Sequence, residues 1–291
     1  MFQFNKIVLG SAQFGLNYGI SNKKGKTTLR EVELILDYAF SKGIETIDTA
    51  SSYGDAETIL GKFNLGKDFK IYSKISSIKN QPNVEDFISE QIFNSLELLK
   101  IDCLEGVFLH RPNDLLSDDS YKMIETLDKC VSDSLIKSYG ISIYESKDLD
   151  SLNRYSNLSL LQVPRNILDR RFSREEIKQR FTKNNIKFFV RSVFLQGLLL
   201  MDIDLQKRKF PNYSKLWNKW NLWLEEQNIS AVEACLSFFH SDQDYDKLIV
   251  GVESKKQLQQ ILNIDHSDKK VPNFKNFIDE KIINPSKWQI Q

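Results

Sequence analysis

The stretch IETIDTASSYGDAETILGK, residues 44–62, ends a short apolar run on Asp48 and sets Tyr53 five positions later, in a turn of small residues. A carboxylate at the end of a buried strand must be hydrated, paired or used chemically, because an isolated charge is too costly to bury. Directly after Tyr53 a new helix starts, with Asp55 placed to cap it. The segment therefore reads as strand, turn, helix, and the rest of the chain decides whether that unit repeats.

Seven further runs rich in Ile, Val, Leu and Phe match the run at 45–49: residues 6–10, 69–75, 104–110, 138–142, 158–163, 187–193 and 247–252. Helical periodicity fills the intervals. Thr28 followed by Glu31 resembles a capping box ahead of REVELILDYAFSKG, which closes on Gly43, and amphipathic patterns occupy 84–100, 119–133, 146–153, 173–183, 230–240 and 254–263. Strands alternating with helices point to repeated βα units and a parallel sheet, and the continuous apolar runs fit strands covered on both faces. At 291 residues the chain suits one large α/β barrel, a fold of about 250 residues. The expectation is a (β/α)8 TIM barrel forming a single domain over 1–291. The alternative is a doubly wound open sheet, against which GSAQFGLNYG, after the first run, lacks the GxGxxG spacing of a dinucleotide-binding turn. Trp217, Trp220 and Trp223, spaced by three, read as anchors of a helix on the barrel rather than as substrate contacts.

Forty basic and thirty-nine acidic side chains leave a formal charge of +1, so no overall field gathers nucleic acid or anionic membrane. Three scattered cysteines, Cys103, Cys130 and Cys235, make neither a disulfide framework nor a zinc-type pair and suit a reducing compartment. The N-terminus has no signal-peptide pattern, and the apolar runs fall below the roughly 20 residues that span a bilayer. A soluble, cytoplasmic protein is expected. Histidine occurs only at positions 110, 240 and 266, which supports no metal-assisted hydrolysis, so no metal site is expected.

Barrel active sites lie at the C-terminal ends of the strands. That filter selects Asp48, Tyr53, Lys74 and His110, which close or follow three successive strand candidates. Each alone has an ordinary structural explanation; together they suggest proton-transfer chemistry. A phenol of pKa about 10 is a poor acid near neutrality. An ammonium from Lys74 would lower it, Asp48 would hold that lysine, and His110 would orient a carbonyl oxygen.

On these residues the sequence resembles the aldo-keto reductase superfamily. IDTASSYGDAETILGK is similar to the family's strand 2 signature, YSKI to its lysine strand and FLHRPND to its histidine strand, and the resemblance continues in family order through IKSYGISIY, LLQVPRNILDR, VRSVFLQGLLL and LIVGVESKKQLQQIL. It implies a catalytic tetrad of Asp48, Tyr53, Lys74 and His110, with Tyr53 as general acid in carbonyl reduction and NAD(P)H as hydride donor. It implies cofactor contacts from Gly10, Ser11 and Asp48, from Ser142 and Gln162 to the nicotinamide amide, from Phe194, Leu195 and Gly197 along the pyrophosphate, and from Gly251, Lys255 and Gln257 near the adenosine.

Two departures stand out. Ile143 replaces the asparagine that often follows the serine, and Arg191, followed by Ser192, replaces a tyrosine that stacks on the nicotinamide; Arg191 either stacks in its place or pairs with a carboxylate elsewhere. Gln257 stands where NADPH-preferring relatives often carry arginine, so NADPH is expected from family habit with NADH left open. Tyr18, Arg111 and Asn166 are the expected substrate contacts, and a small, polar carbonyl compound is the expected substrate. A cofactor-binding redox sensor with little turnover is the alternative, and the sequence leaves the oligomeric state open.

Overall fold

The computed structural model describes the chain apart from residues 1–3, 156, 181–184, 242–243, 265–271, 273, 275–278 and 289–291. Eight parallel strands, β1 (Ile7–Gly10), β2 (Thr46–Asp48), β3 (Lys70–Ile75), β4 (Gly106–Leu109), β5 (Tyr139–Ser142), β6 (Leu160–Pro164), β7 (Lys187–Arg191) and β8 (Lys247–Gly251), pair in sequence order. β1 pairs with β8 and closes the (β/α)8 barrel. All eight strands fall on the expected runs, except that β6 ends one residue later, at Pro164.

The helices are α1 (Ala12–Gly15), α2 (Leu29–Ser41), α3 (Ala56–Leu60), α4 (Val84–Leu99), α5 (Ser120–Ser132), α6 (Arg174–Arg180), α7 (Ile203–Lys209), α8 (Ser214–Gln227), α9 (Ala231–Ser241), α10 (Lys255–Leu262) and α11 (Glu280–Ile283). Among the described residues, none is long and apolar enough to cross a membrane. Val32, Ile35, Leu36 and Ala39 form the buried stripe of α2, and their 3.6-residue spacing is what seats the helix on the barrel.

Inside the barrel, Val8, Tyr72, Phe108, Leu160, Phe189 and Ile249 form a separate apolar plug. Its aromatic rings meet edge to face, Tyr72 to Phe189 at 4.9 Å and Phe108 to Phe189 at 5.2 Å between centroids. Side chains two apart on a strand point to the same side. Two residues beyond the plug therefore come Gly10, Lys74, His110, Gln162, Arg191 and Gly251, and the same step carries Thr46 to Asp48 and Gly140 to Ser142. The plug is thus the floor on which the C-terminal layer of the barrel stands, and that layer is polar or glycine on every strand.

Local departures from expectation have local causes. The 146–153 pattern forms a 3-10 helix, Ser146–Arg154, because Asp148 draws the backbone N–H groups of Tyr144 and Glu145 onto its carboxylate and the run is rich in Ser, Asp and Asn. Thr28 Oγ1 caps the Glu31 amide at 3.3 Å, but the Glu31 carboxylate turns to the Lys255 amide at 2.6 Å, so only half of the capping box forms. Asp55 occupies the cap position of α3 yet pairs with Lys26 at 2.7 Å instead. The helical pattern at 173–183 is realised as α6, and its end, at 181–183, lies outside the described residues, as does His266. Trp217 and Trp220 are buried in α8, their indole N–H groups donating to Phe210 O and Leu199 O, and Trp223 stacks on Trp220; all three are structural.

Candidate active site

Lys74 and Asp48 form a buried ion pair at 2.5 Å, with side-chain exposures of 1% and 4%. An ammonium has three protons to place. Here one goes to Asp48 Oδ2 and one to Thr49 O at 2.8 Å, while the nitrogen lies 4.8 Å from the centroid of the Tyr53 ring. The other carboxylate oxygen, Asp48 Oδ1, accepts from Gln162 Nε2 at 2.8 Å. Ser142 Oγ donates to Gln162 Oε1 at 3.3 Å and accepts from Arg191 Nε at 3.3 Å. A hydrogen-bond chain therefore crosses the barrel mouth from β3 through β2, β6 and β5 to β7. Ser142 and Gln162, expected to hold an amide, are joined in that chain to Asp48 and Arg191.

Tyr53 enters from the β2–α3 turn, its amide bonded to Ala50 O at 3.0 Å, and its ring meets His110 edge-on at 6.3 Å. Burial, and then the Asp48 carboxylate, hold the phenol above its ordinary pKa; the Arg191 guanidinium acts in the opposite direction. The lysine charge is balanced by Asp48 and faces the ring, and the cation that opposes the rise is Arg191. Burial, assisted by Lys74, Arg191 and Arg111, pushes His110 down to about 3, so the imidazole is neutral at physiological pH. Burial and the neighbouring Tyr53 raise Tyr18 to about 12.

Arg191 meets no carboxylate among the described residues. Its guanidinium stacks 4.4 Å from the Tyr144 ring centroid and donates to Ile143 O at 3.0 Å and Ser192 Oγ at 3.3 Å. Ile143, whose amide bonds to Gln162 O at 2.9 Å, contributes backbone at this place rather than a side-chain amide.

These groups open onto one cavity of about 520 Å³. Gly10, Asp48, Tyr53, Lys74, His110, Gln162, Arg191, Ser192, Phe194, Gly197, Gly251 and Gln257 all line it, as do Tyr18 and Arg111. Ser11, Ser142, Leu195, Lys255 and Asn166 lie outside its lining. Asn166 is fully buried, its side chain accepting from the Leu168 and Asp169 amides and donating to Ser192 O, so the expected substrate contact becomes a clamp on the β6 loop. The Lys255 ammonium sits over the Tyr38 ring, 5.6 Å from its centroid.

Tyr144, Gln13 and Gln196 also line the cavity and were missed in the sequence. Tyr144 had a signal: it lies two residues beyond Ser142 and so faces the same way. Gln196 had none, since it sits in a loop where Ser192, Leu195 and Gln196 all take left-handed φ, at 62°, 49° and 54°. Beside it Gly197, at φ 88°, packs so tightly on the 18–22 segment that a Cβ there would lie 1.9 Å from Ser21 Oγ.

The aldo/keto reductase family model matches residues 6–280. The oxidoreductase sirO of Leptosphaeria maculans is 24% identical, over 88% of this chain and 87% of its own length. The 6-dehydroglucose reductase of Novosphingobium aromaticivorans is 26% identical over 46% of this chain and 48% of its own. In the solved structures, the aldo-keto reductase AKR11C1 of Bacillus halodurans superposes with a TM-score of 0.71 at 18% identity, covering 97% of this chain and 95% of that one, a likeness of fold. With a matching family model over nearly its whole length and a closed barrel of the same architecture, this chain belongs to the aldo/keto reductase family.

Proposed function

We propose that this protein is an NAD(P)H-dependent carbonyl reductase acting on a small, polar aldehyde or ketone, with Tyr53 as the general acid. The observation that carries this reading is the meeting of Tyr53, neutral His110 and the Lys74–Asp48 pair on one cavity. The residues present fit a dinucleotide. The cavity, about 520 Å³, is within the usual range for ligand sites. At the β1 end the buried Ser11 hydroxyl lacks a hydrogen-bond partner, and Gly10 and Gly251 line the cavity without side chains.

A bound reduced nicotinamide supplies the hydride to the carbonyl carbon. The chain manages the proton. Burial keeps the Tyr53 hydroxyl protonated. As the carbonyl oxygen gains charge it becomes an alkoxide, far more basic than a phenolate, and Tyr53 hands its proton over only at that stage. The Lys74 ammonium on the ring face stabilises the phenolate left behind, and Asp48 fixes that lysine through Oδ2 while Gln162 steadies Oδ1. His110, being uncharged, offers the carbonyl oxygen an N–H without competing as the acid.

The polar mouth formed by Tyr18, Tyr144, Arg111 and Arg191 favours a hydroxylated or anionic substrate over an apolar one. The names of two similar proteins, D-arabinose 1-dehydrogenase of Saccharomyces cerevisiae and 6-dehydroglucose reductase, support a sugar-related carbonyl. The test is Tyr53→Phe, assayed with aldehydes, ketones and oxidised sugars. Reduction falls by about 10²–10⁴-fold, the usual worth of a positioned acid, while dinucleotide affinity is retained. An unchanged rate in the variant would remove Tyr53 from the mechanism. Dinucleotide binding with no reduction of any carbonyl by the wild type would favour a sensor.

A further inference from the structure

We infer that the carbonyl substrate carries an oxyanion, a carboxylate or a phosphate, close to its reacting carbon, and that Arg111 and Arg191 together hold it. The inference rests on the proposed carbonyl reduction and narrows its substrate class. The cations on the cavity wall are of two kinds. Lys74 is neutralised by Asp48 at 2.5 Å, and Arg171 by Asp169, whose two carboxylate oxygens accept from Nε and Nη2 at 2.8 Å each. Arg111 and Arg191 have no carboxylate partner among the described residues. The other carboxyl group on the wall, Glu253, follows β8, on the far side of the closed barrel from β4 and Arg111.

From the end of β7 the Arg191 side chain leans across β6 to the end of β5, where Ser142 Oγ and Ile143 O accept from it, while Ser192 Oγ takes a third bond. All three acceptors are neutral. They and the Tyr144 ring fix the plane of the guanidinium, but leave its charge uncompensated and two of its five N–H groups unspent. Arg111 follows His110 at the end of β4, the strand on the other side of β5, and its exposed guanidinium makes no hydrogen bond or ion pair among the described residues. After burial and Lys74, Arg191 and Arg111 are the groups that hold the His110 pKa down, so both charges act on the ring that meets the carbonyl oxygen. A neutral hydroxylated substrate accepts hydrogen bonds from these groups, yet leaves both charges uncompensated as it displaces water. An oxyanion supplies the missing charge and matches the forked donors of a guanidinium. Its place near His110 suits a short oxo acid or a phosphorylated hydroxyaldehyde. The oxyanion takes no part in the bond changes; it anchors the substrate so that the carbonyl faces Tyr53.

The experiment compares kcat/KM within two matched pairs, succinic semialdehyde with butanal and glyceraldehyde 3-phosphate with glyceraldehyde, at fixed ionic strength with NADH and with NADPH. The wild type is expected to prefer a charged member over its neutral counterpart by about tenfold or more, the worth of one hydrogen bond to a charged group. In Arg111→Gln the preference falls by about tenfold, chiefly through KM, and Arg111→Lys, which keeps the charge without the fork, restores part of it. A preference confined to one pair supports the inference and identifies the oxyanion. Efficient reduction of the neutral members with no preference for the charged ones overturns the inference without any variant and leaves the reductase reading standing. A preference that survives in both Arg111→Gln and Arg191→Gln also overturns it, because the oxyanion is then held elsewhere. Failure of every member to react with either cofactor removes the reductase reading, and the inference with it.

Discussion

Replacing Lys74 with methionine tests the geometry on which the site depends. Methionine matches the length of the lysine stem and leaves Asp48, with a side chain only 4% exposed, facing Gln162 Nε2 as its remaining side-chain partner. Breaking a buried pair by removing one member costs about 3–5 kcal/mol, because the surviving charge stays desolvated and uncompensated. A companion variant, Lys74→Met with Asp48→Asn, separates this cause from lost packing. Its amide is uncharged, and its oxygen still accepts from Gln162, so about half or more of the lost stability returns. The assay is urea denaturation of wild type, both single variants and the double variant, read as midpoints at constant slope. A loss below about 1 kcal/mol in Lys74→Met, the range of solvated surface pairs, would refute the buried pair. Additivity of the two single variants would refute their coupling.

His110 gives a pH prediction whose sign follows from its lowered pKa. The folded ring titrates at about 3 and an unfolded one near 6.5, so below 6.5 the unfolded chain takes up a proton that the native state refuses. The contribution of His110 is intact above pH 6.5 and is lost as pH falls from 6.5 towards 3, by up to about 1.4 kcal/mol per pH unit. NMR titration of the ring in a His240→Gln, His266→Gln background checks it, and a midpoint between 6 and 7 would contradict the assignment. Asn166→Ala is expected to destabilise by about 1–3 kcal/mol for each of the two buried amides, Leu168 and Asp169, that lose their acceptor. Thermal or urea unfolding measures this, and a cost below about 0.5 kcal/mol would mean that water replaces the side chain.

Much of this molecule is legible in one dimension because two periodicities are local. Alternation of two within a strand and 3.6 within a helix place Ile47, Val107 and Val250 in the core and mark the eight βα units without any knowledge of contacts. The position of Asp48, Lys74 and His110 at or just beyond the ends of successive strands follows from the same period, since each lies two residues past a position that faces the barrel interior. Each of these side chains has ordinary structural uses when taken alone, and it is their joint occurrence that marks the mouth as a candidate site.

Other features are decided by closure of the barrel. The Gln162–Asp48 bond joins residues 114 positions apart and the Glu31–Lys255 bond residues 224 apart, and no local pattern distinguishes them from the many partners such side chains accept. Thus Asn166 lies just past the end of a strand, as a binding residue would, yet turns inward to hold a loop, and the Lys74 ammonium is bonded to Asp48 while facing the Tyr53 ring. The sequence by itself determined the units and the residues delivered to the mouth, because apolar burial is repeated and non-directional. The tertiary structure alone decided which of those residues bond to one another, because hydrogen bonds and charge pairs are directional and short, and their geometry exists only once the first strand has met the last.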